Sequence, residues 1–382
     1  MSGIVARVES GVAAFDPADW DRCAGAGNPF LTHAFLTALE QSGSATARSG
    51  WQPAPIAIDG PGGRPEALLP AYVKSHSQGE YVFDQAWAAA FERAGGDYYP
   101  KLQIAVPFTP VPGRRLLTSA DAPALAPALI AAAEALVRQN DLSSAHATFI
   151  AQEEVALFER AGWLIRIDSQ FHWHNDHYRD FDHFLAALSS RKRKAIRKER
   201  AAALDGLTVR HVTGAAIEPA HWDAFWAFYQ DTGARKWGRP YLTRRFFSMI
   251  GETMADRILL IFALKDGAPI AGALNLIGSD TLYGRYWGAV ADVPHLHFEI
   301  CYYQAIDAAI ARGLARVEAG AQGAHKLSRG YRPVPTWSAH HIADPALRRA
   351  VADYLAAERP AALGEIEAMD EMAPFRKDGG DA

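Results

Sequence analysis

Three segments of the chain concentrate side chains that could bind anions or move protons. The first is a basic run from Ser189 to Arg200. On a helix, Arg193, Arg197 and Arg200 share one face, because they are spaced by four and three positions. Guanidinium groups bind phosphate oxygens in bidentate fashion. The run therefore predicts a phosphate-bearing ligand, and the alternative is a solvated basic surface of a helix.

The second segment leads from a strand into a helix and holds Tyr286, Asp292, His295, His297 and Glu299. The free amides and the dipole at the start of a helix favour anions. The imidazoles and carboxylates in this segment are candidate acids or bases. The alternative is that the aspartate caps a turn and that the histidines only satisfy backbone groups.

The third segment is a glycine-rich loop that follows a strand ending near Glu318 and carries Lys326 and Arg329. Two cations beside mobile backbone amides suit an anion. A plain surface loop is the alternative.

These segments require a particular set of elements. Strands are predicted over 258–264, 270–277 and 281–287, and the turn residues between them favour an antiparallel meander. A helix over 298–312 and a strand over 315–318 follow. The basic run belongs to a predicted helical region over residues 181–203, in one piece or two.

Both halves of the chain repeat the order helix, antiparallel strands, helix, strand. This order predicts two α/β domains with mixed, mainly antiparallel sheets flanked by helices. The domains are predicted over 1–167 and 168–382, with the candidate active site in the second. The boundary lies between short strands predicted over 163–167 and 170–174, and a further short strand is predicted over 81–83.

Composition gives few hints of function. The 382 residues have a net charge of −4 and contain two cysteines, Cys23 and Cys301, which form neither a disulfide framework nor a zinc pattern. The sequence shows no signal peptide and no apolar run long enough to span a bilayer. It therefore predicts a cytoplasmic protein without an integral membrane segment, and it does not predict an oligomeric state.

Several catalytic classes are disfavoured. The histidines near the boundary are too irregularly spaced to predict a metal site. No Gly-x-Ser-x-Gly elbow, phosphate-binding P-loop or dinucleotide fingerprint is present.

The chain resembles the GNAT acyltransferase superfamily, and more closely its FemAB-like group of predicted N-acyltransferases, which is related to the Fem-type aminoacyltransferases of peptidoglycan synthesis. The resemblance covers residues 28–359. Its most specific stretches are 79–84, 98–102, 106–111, 295–299 and 323–331.

The resemblance implies two tandem GNAT-like domains and an enzyme that joins an activated acyl or aminoacyl group to an amine, as in peptidoglycan metabolism. The implied base is Glu299 or His297, with His295 nearby, and the implied acid is Tyr303 or Tyr286. The implied ligand contacts, for a phosphate-bearing carrier such as tRNA, are Arg193, Arg197, Lys326, Arg329, Lys101, Asp292 and Tyr286.

One stretch departs from acetyl-CoA-dependent relatives, which place a glycine-rich motif where this chain has residues 291–297. That stretch contains no glycine, and Pro294 removes an amide donor. The departure favours aminoacyl-tRNA as the donor, with no tightly bound cofactor. The alternatives are an acetyl-CoA-dependent enzyme with a divergent loop and a non-catalytic module that binds RNA or a phosphorylated ligand.

Overall fold

The computed structural model describes residues 4–236, 240–320 and 323–376, and they divide into two compact units. The first unit comprises the described residues of 1–168, 241–246 and 335–364. The second comprises those of 169–240, 247–334 and 365–382. Each unit therefore draws on more than one stretch of the sequence.

The first unit begins with short strands and helices. These elements are β1 (Ala6–Val8), α1 (Pro17–Ala24), α2 (His33–Gln41), β2 (Trp51–Pro53), β3 (Ile56–Asp59), β4 (Pro65–Leu69), β5 (Ala71–Lys74), α3 (Gln85–Arg93), β6 (Lys101–Ile104), β7 (Leu117–Thr118), α4 (Ala126–Gln139), β8 (Ser144–Ile150) and α5 (Gln152–Arg160). The Asp16 side chain accepts hydrogen bonds from the first amides of α1, and Pro17 occupies the first helical position.

The other elements follow. They are β9 (Leu164–His174), α6 (Phe181–Ala187), α7 (Ser190–Ala203), β10 (Thr208–Thr213), α8 (Pro219–Lys236), α9 (Arg244–Thr253), β11 (Ile258–Lys265), β12 (Ala268–Ile277), β13 (Thr281–Ala289), α10 (Leu296–Phe298), α11 (Gln304–Ala311), β14 (Arg316–Glu318), β15 (Arg332–Ile342) and α12 (Pro345–Glu371). Four of these elements, β9, α9, β15 and α12, have residues in both units. A single π-helical turn, Glu299–Tyr303, joins α10 to α11.

In the first unit, one sheet has the strand order β1-β3-β4-β7, and β15-β8-β6-β5-β2 run side by side in another. Strands β6 and β8 are parallel, and α4 lies between them in the chain. Helix α4 buries Leu129, Ile130, Ala133 and Val137, whose spacing of three and four residues places them on one face. This face packs into the core of the unit.

In the second unit, the strands are ordered β10-β11-β12-β13-β14-β9. All neighbours are antiparallel except β13 and β14, which α10, the π turn and α11 connect. Residues Leu282 and Val317, with Trp173 from β9, face a buried core beneath the sheet. The mixed, mainly antiparallel sheets and the meander β11-β12-β13 confirm the predicted fold class.

Two local predictions are wrong. No strand covers residues 81–83, because Tyr81 has a φ of 60°, in the left-handed region that extended backbone cannot adopt. The two strands predicted across 163–174 are one continuous strand, β9. Its polar residues Asp168 and Gln170 alternate along an extended backbone and do not mark a turn.

Where the chain is described, every helix is too short or too polar to traverse a lipid bilayer.

Candidate active site

A cavity of about 130 Å³ opens in the second unit where β13 and β14 part. The parallel pairing of these strands lasts three residues and ends at Tyr283 and Glu318. Strand β13 continues to Ala289 without β14 beside it. The residues that line the cavity are Ala273, Leu274, Asn275, Gly284, Arg285, Tyr286, Trp287, His297, Cys301, Tyr302 and Ala319.

A β-bulge shapes one wall of this cavity. Along β12 and β13, Leu274 pairs with Tyr286, but the next residue, Asn275, pairs with Gly284. Arg285 is thus the extra residue of the bulge, and such a residue bends its strand and redirects side chains. The bulge places a glycine opposite a buried asparagine at the cavity.

Lys326 is buried beside the cavity, and its Nζ donates a hydrogen bond to the carbonyl of Gly320 at 2.8 Å. Burial lowers the pKa of Lys326 to about 7, and the Arg285 charge contributes while Cys301 opposes the shift. Both of these neighbours line the cavity. Near neutral pH a large share of the molecules therefore carry an uncharged amine at this position.

Glu318 is the last residue of β14 and is also buried. Burial raises the pKa of Glu318 to about 8, although Arg316 and Arg285 oppose the shift. Its Oε1 lies 3.9 Å from Nδ1 of His172, and burial lowers the pKa of that imidazole to about 3. Within the described residues, Oε2 has no hydrogen-bond partner. At neutral pH, the carboxyl group is mainly protonated.

Aromatic rings form another wall. The His297 ring lies 5.0 Å from the ring of Trp287 and 5.2 Å from that of Tyr302. The hydroxyl of Tyr302 is 2.8 Å from Nε2 of His325, and burial raises the pKa of this phenol. Of the residues in this part of the lining, His297 and Tyr286 were predicted as site residues and Tyr302 was not.

The predicted base Glu299 lies in the π turn and is fully buried. Nε and Nη2 of Arg200 donate to its two oxygens at 3.1 and 3.0 Å, and Gln304 donates to Oε1 at 2.7 Å. Burial raises the pKa of Glu299, and Arg200 opposes the shift. Both oxygens are therefore occupied in this arrangement.

The predicted phosphate contact Arg329 is also paired. Its Nη2 lies 3.0 Å from both oxygens of Glu199, and its guanidinium lies 3.5 Å from the centre of the Phe298 ring. The hydroxyl of Tyr303, the predicted acid, donates to the same Glu199 carboxylate. These groups join the 3-10 helix Ala324–Arg329 to α7.

Of the predicted site residues, Tyr286 and His297 line the cavity, and the others lie outside its lining. Arg197 is exposed and pairs with Asp182 at 2.8 Å, and Arg193 is half-buried on the same helix. Asp292 and His295 are exposed in the loop before α10. The convergence of Arg193, Arg197, Lys326 and Arg329 on one carrier remains a prediction.

Lys101 belongs to the first unit and is completely buried. Its Nζ donates to Oε2 of Glu80 at 2.8 Å, to Oγ of Ser77 at 2.9 Å and to Asp84. Although burial opposes the charge, Glu80 and Asp84 raise the pKa of Lys101. Its predicted role as a ligand contact remains a prediction, while its observed partners are internal carboxylates.

Sequence reasoning missed Asn275, Glu318, Tyr302 and His172 as site residues. Only strand register brings Glu318 and His172 together, since they lie opposite each other on β14 and β9. A buried glutamate at the end of a short strand was the available signal. Among the described residues, no group of three potential ligands is arranged to hold a metal ion.

The sequence matches the model of the FemAB-like family, described as one of peptidoglycan biosynthesis or recognition, over residues 11–377. No curated protein matches it significantly.

Several solved structures share the fold. The structure of FemX has a TM-score of 0.55 at 12% identity and covers 88% of this chain and 98% of its own. The structure of L-PGS from Bacillus licheniformis has a TM-score of 0.51 at 10% identity and covers 92% of this chain and 99% of its own. A C-terminal domain of a putative lysylphosphatidylglycerol synthetase from Agrobacterium fabrum has a TM-score of 0.53 at 12% identity. The match covers 89% of this chain and 96% of that domain. These TM-scores show that the chain shares the fold of these proteins.

Proposed function

Because this chain belongs to the FemAB-like family, we propose that it is an aminoacyltransferase that joins an activated aminoacyl group to an amine of a cell-wall precursor. The observation that carries the proposal is the cavity between β13 and β14. It has beside it a lysine whose pKa is about 7 and a glutamate whose pKa is about 8. The pKa of the lysine is lowered and that of the glutamate is raised, so near neutral pH the lysine can accept a proton and the glutamate can donate one.

The proposed reaction is a direct attack of the acceptor amine on the aminoacyl carbonyl. The uncharged amine of Lys326 accepts the proton that the attacking nitrogen loses when the new C–N bond forms. The protonated carboxyl of Glu318 gives its proton to the oxygen that leaves with the carrier. The narrow cavity holds the reacting groups together, which lowers the entropic barrier.

The loop before α10 supports an aminoacyl carrier over acetyl-CoA. A pyrophosphate cradle needs free backbone amides. Here the amides of Val290 and Leu296 donate to the carbonyls of Ile270 and Val293, and Pro294 has none. We therefore propose aminoacyl-tRNA as the donor, with the exposed cations of α7 as its contact surface, and a cytoplasmic reaction.

The test is transfer of labelled alanine from alanyl-tRNA to a lysine-containing peptidoglycan precursor. We expect Lys326→Met and Glu318→Gln each to lower kcat by about 10²-fold or more, as for the loss of an acid or base. Lys265→Met, at an exposed hairpin position, is the matched control and should keep full activity.

In the wild type, kcat should rise with pH through about 7, because the uncharged form of Lys326 is the active one, and fall above about 8, because Glu318 must be protonated. Transfer from acetyl-CoA and none from alanyl-tRNA would overturn the proposed donor. Full activity of both site variants would overturn the proposed roles of these residues.

A further inference from the structure

The proposed reaction leaves one buried polar atom of the cavity unused, Oδ1 of Asn275. The side chain has an exposure of 0%. Its Nδ2 donates to the carbonyl of Leu259 at 3.2 Å, which fixes the orientation of the amide. In the part of the chain that the structure describes, Oδ1 accepts no hydrogen bond. A buried acceptor without a donor is unfavourable, so a bound group that donates here would gain affinity.

Gly284 leaves room for such a group. A Cβ atom at this position would lie 3.4 Å from Oδ1 of Asn275 and 3.5 Å from the carbonyl oxygen of Glu318. Two acceptors therefore border the space above Gly284, which itself lines the cavity. An amine has several N–H donors and can bond to both oxygens, whereas a hydroxyl has one donor and a methyl group has none.

The volume of the cavity limits what accompanies the amine. About 130 Å³ equals the share of roughly four water molecules in the liquid, at about 30 Å³ each. The small side chains of Ala273 and Ala319 and the larger ones of Tyr286 and Tyr302 line the cavity. Lys326 adds little repulsion toward an amine when it is uncharged. The space suits the carbonyl and α-amine of a small residue such as glycine, alanine or serine.

We propose that Asn275 and Gly284 form the subsite for the α-amine of the transferred group and so select aminoacyl over plain acyl donors. The inference rests on the proposed function for its reaction, and it adds the residues that determine donor specificity. Asn275 is the recognition residue, and Gly284 keeps its oxygen accessible.

The test compares alanyl-tRNA with lactyl-tRNA, in which a hydroxyl replaces the α-amine. We expect the wild type to favour alanyl-tRNA by about 10²-fold in kcat/KM, since a site built for a donor rejects analogues that lack it. Gly284→Ala and Asn275→Leu should lower this ratio to about threefold or less, because the α-amine of alanyl-tRNA then loses its access to the acceptor or the acceptor itself. Gly284→Ala should disturb the fold less than Asn275→Leu, because the added Cβ would make van der Waals contacts of 3.4–3.7 Å.

Gly62→Ala is the matched control, since nothing lies within 4 Å of the added methyl group, and it should keep the wild-type ratio. A wild type that uses both donors equally would overturn the subsite while leaving aminoacyl transfer intact.

Calorimetry with alaninamide and lactamide separates the subsite from the choice of carrier. We expect the wild type to bind alaninamide but not lactamide, even when no tRNA is present. Gly284→Ala should no longer bind alaninamide. Equal binding of both amides would overturn the inference. Absence of transfer from either tRNA, with selective alaninamide binding, would count against the proposed function only.

Discussion

Lys101 shows what one buried charge demands of its surroundings. It lies in the first unit with no solvent exposure, and Glu80, Asp84 and Ser77 hold its ammonium group. Nearby, Lys74 lies over the ring of Trp51 at 3.7 Å. Charges this deeply buried are tolerated only when partners replace their lost hydration.

Lys101→Met should destabilise the chain strongly, because it leaves the buried Asp84 without its cation and leaves Glu80 only Lys74, at 3.8 Å. We expect the free energy of unfolding to fall by about 3–5 kcal/mol, as measured by urea denaturation. Lys265→Met, at an exposed position, is the control and should change it little.

Adding Asp84→Asn to Lys101→Met should restore part of the loss, since Asp84 then carries no buried charge and Glu80 still has Lys74 at 3.8 Å. A loss below about 1 kcal/mol in the single variant would show that the cluster does not depend on this ammonium.

Residue types alone could suggest some of this chemistry. His297, Tyr286 and Lys326 were predicted from the density of polar side chains in their segments, and all three lie at or beside the cavity. Asn275 and Glu318 were not, because Asn275 is a single polar residue in an apolar strand and Glu318 is the last residue of a strand of only three. Their importance arises from strand register and a bulge, which depend on tertiary pairing and are not encoded locally.

At the scale of an element, α7 has two different faces. Its inner face carries Arg200, which bonds to Glu299 and to Asp307 at 2.8 Å, and Glu199, which bonds to Arg329. Its outer face carries exposed cations, of which Arg197 pairs with the exposed Asp182. The sequence predicted the basic character of the helix and a single ligand-binding face that holds Arg193, Arg197 and Arg200. In the structure, Arg200 instead pairs with acidic residues inside the unit.

The two arginines of α7 should therefore contribute differently to stability. Arg200→Met leaves the fully buried Glu299 without its cation, and we expect a loss of about 3 kcal/mol in the free energy of unfolding. Arg197→Met removes an exposed pair and should cost less than about 0.5 kcal/mol. Urea denaturation of both variants measures the difference, and equal losses would contradict the assignment of faces.

The outer face should govern carrier binding. Changing Arg191, Lys194 and Lys198 to glutamate should lower kcat/KM for alanyl-tRNA by about 10-fold or more and flatten its dependence on salt, because fewer counterions are released. The control reverses three exposed cations elsewhere, Arg210, Lys265 and Arg349.

An equal effect of both sets of changes would indicate general electrostatic attraction. It would argue against α7 as the contact surface.

For the whole molecule, buried ionisable groups of two kinds make opposite contributions as pH changes. Burial lowers the pKa of His340 and His172 to about 3 and that of His146 well below its usual value. Burial raises the pKa of three carboxyl groups. They are Glu40 at about 7, Glu80 at about 7 and Glu318 at about 8.

Unfolding below pH 6.5 lets the three histidines take up protons, so their contribution to stability falls as pH falls. In the folded chain the three carboxyl groups keep their protons up to about pH 7, whereas in the unfolded chain they lose them above pH 4.5. Their contribution to the free energy of unfolding therefore grows as the pH falls toward 4.5. We expect the two sets to offset each other between about pH 7 and 4.5.

Below about pH 4.5 the histidines continue to act, and Asp84 joins them, because Lys101 holds the pKa of this carboxyl below its usual value although burial opposes the shift. The free energy of unfolding should therefore decline as the pH falls further. Urea midpoints measured at several pH values test this expectation. A steep decline centred on pH 6.5 would contradict the offset.

The order of elements along the chain predicted the mixed sheets, and local turn chemistry predicted the meander β11-β12-β13. The assignment of residues to units was harder, because residues 335–364 return to the first unit. Strand β15 pairs with β8 across almost two hundred positions of sequence, and no local pattern marks such a partner. The pairing depends on the free energy of the completed sheet.

That distant pairing has a consequence during synthesis. All seven residues of β8 are buried, yet β15 leaves the ribosome only after roughly 10–40 s more of elongation, at about 5–20 residues per second. Throughout that interval, the nascent chain carries an unprotected strand edge of the kind that promotes aggregation. Codon usage that alters this delay, or a chaperone that covers the exposed edge, should therefore change the yield of native protein without any change in the amino-acid sequence.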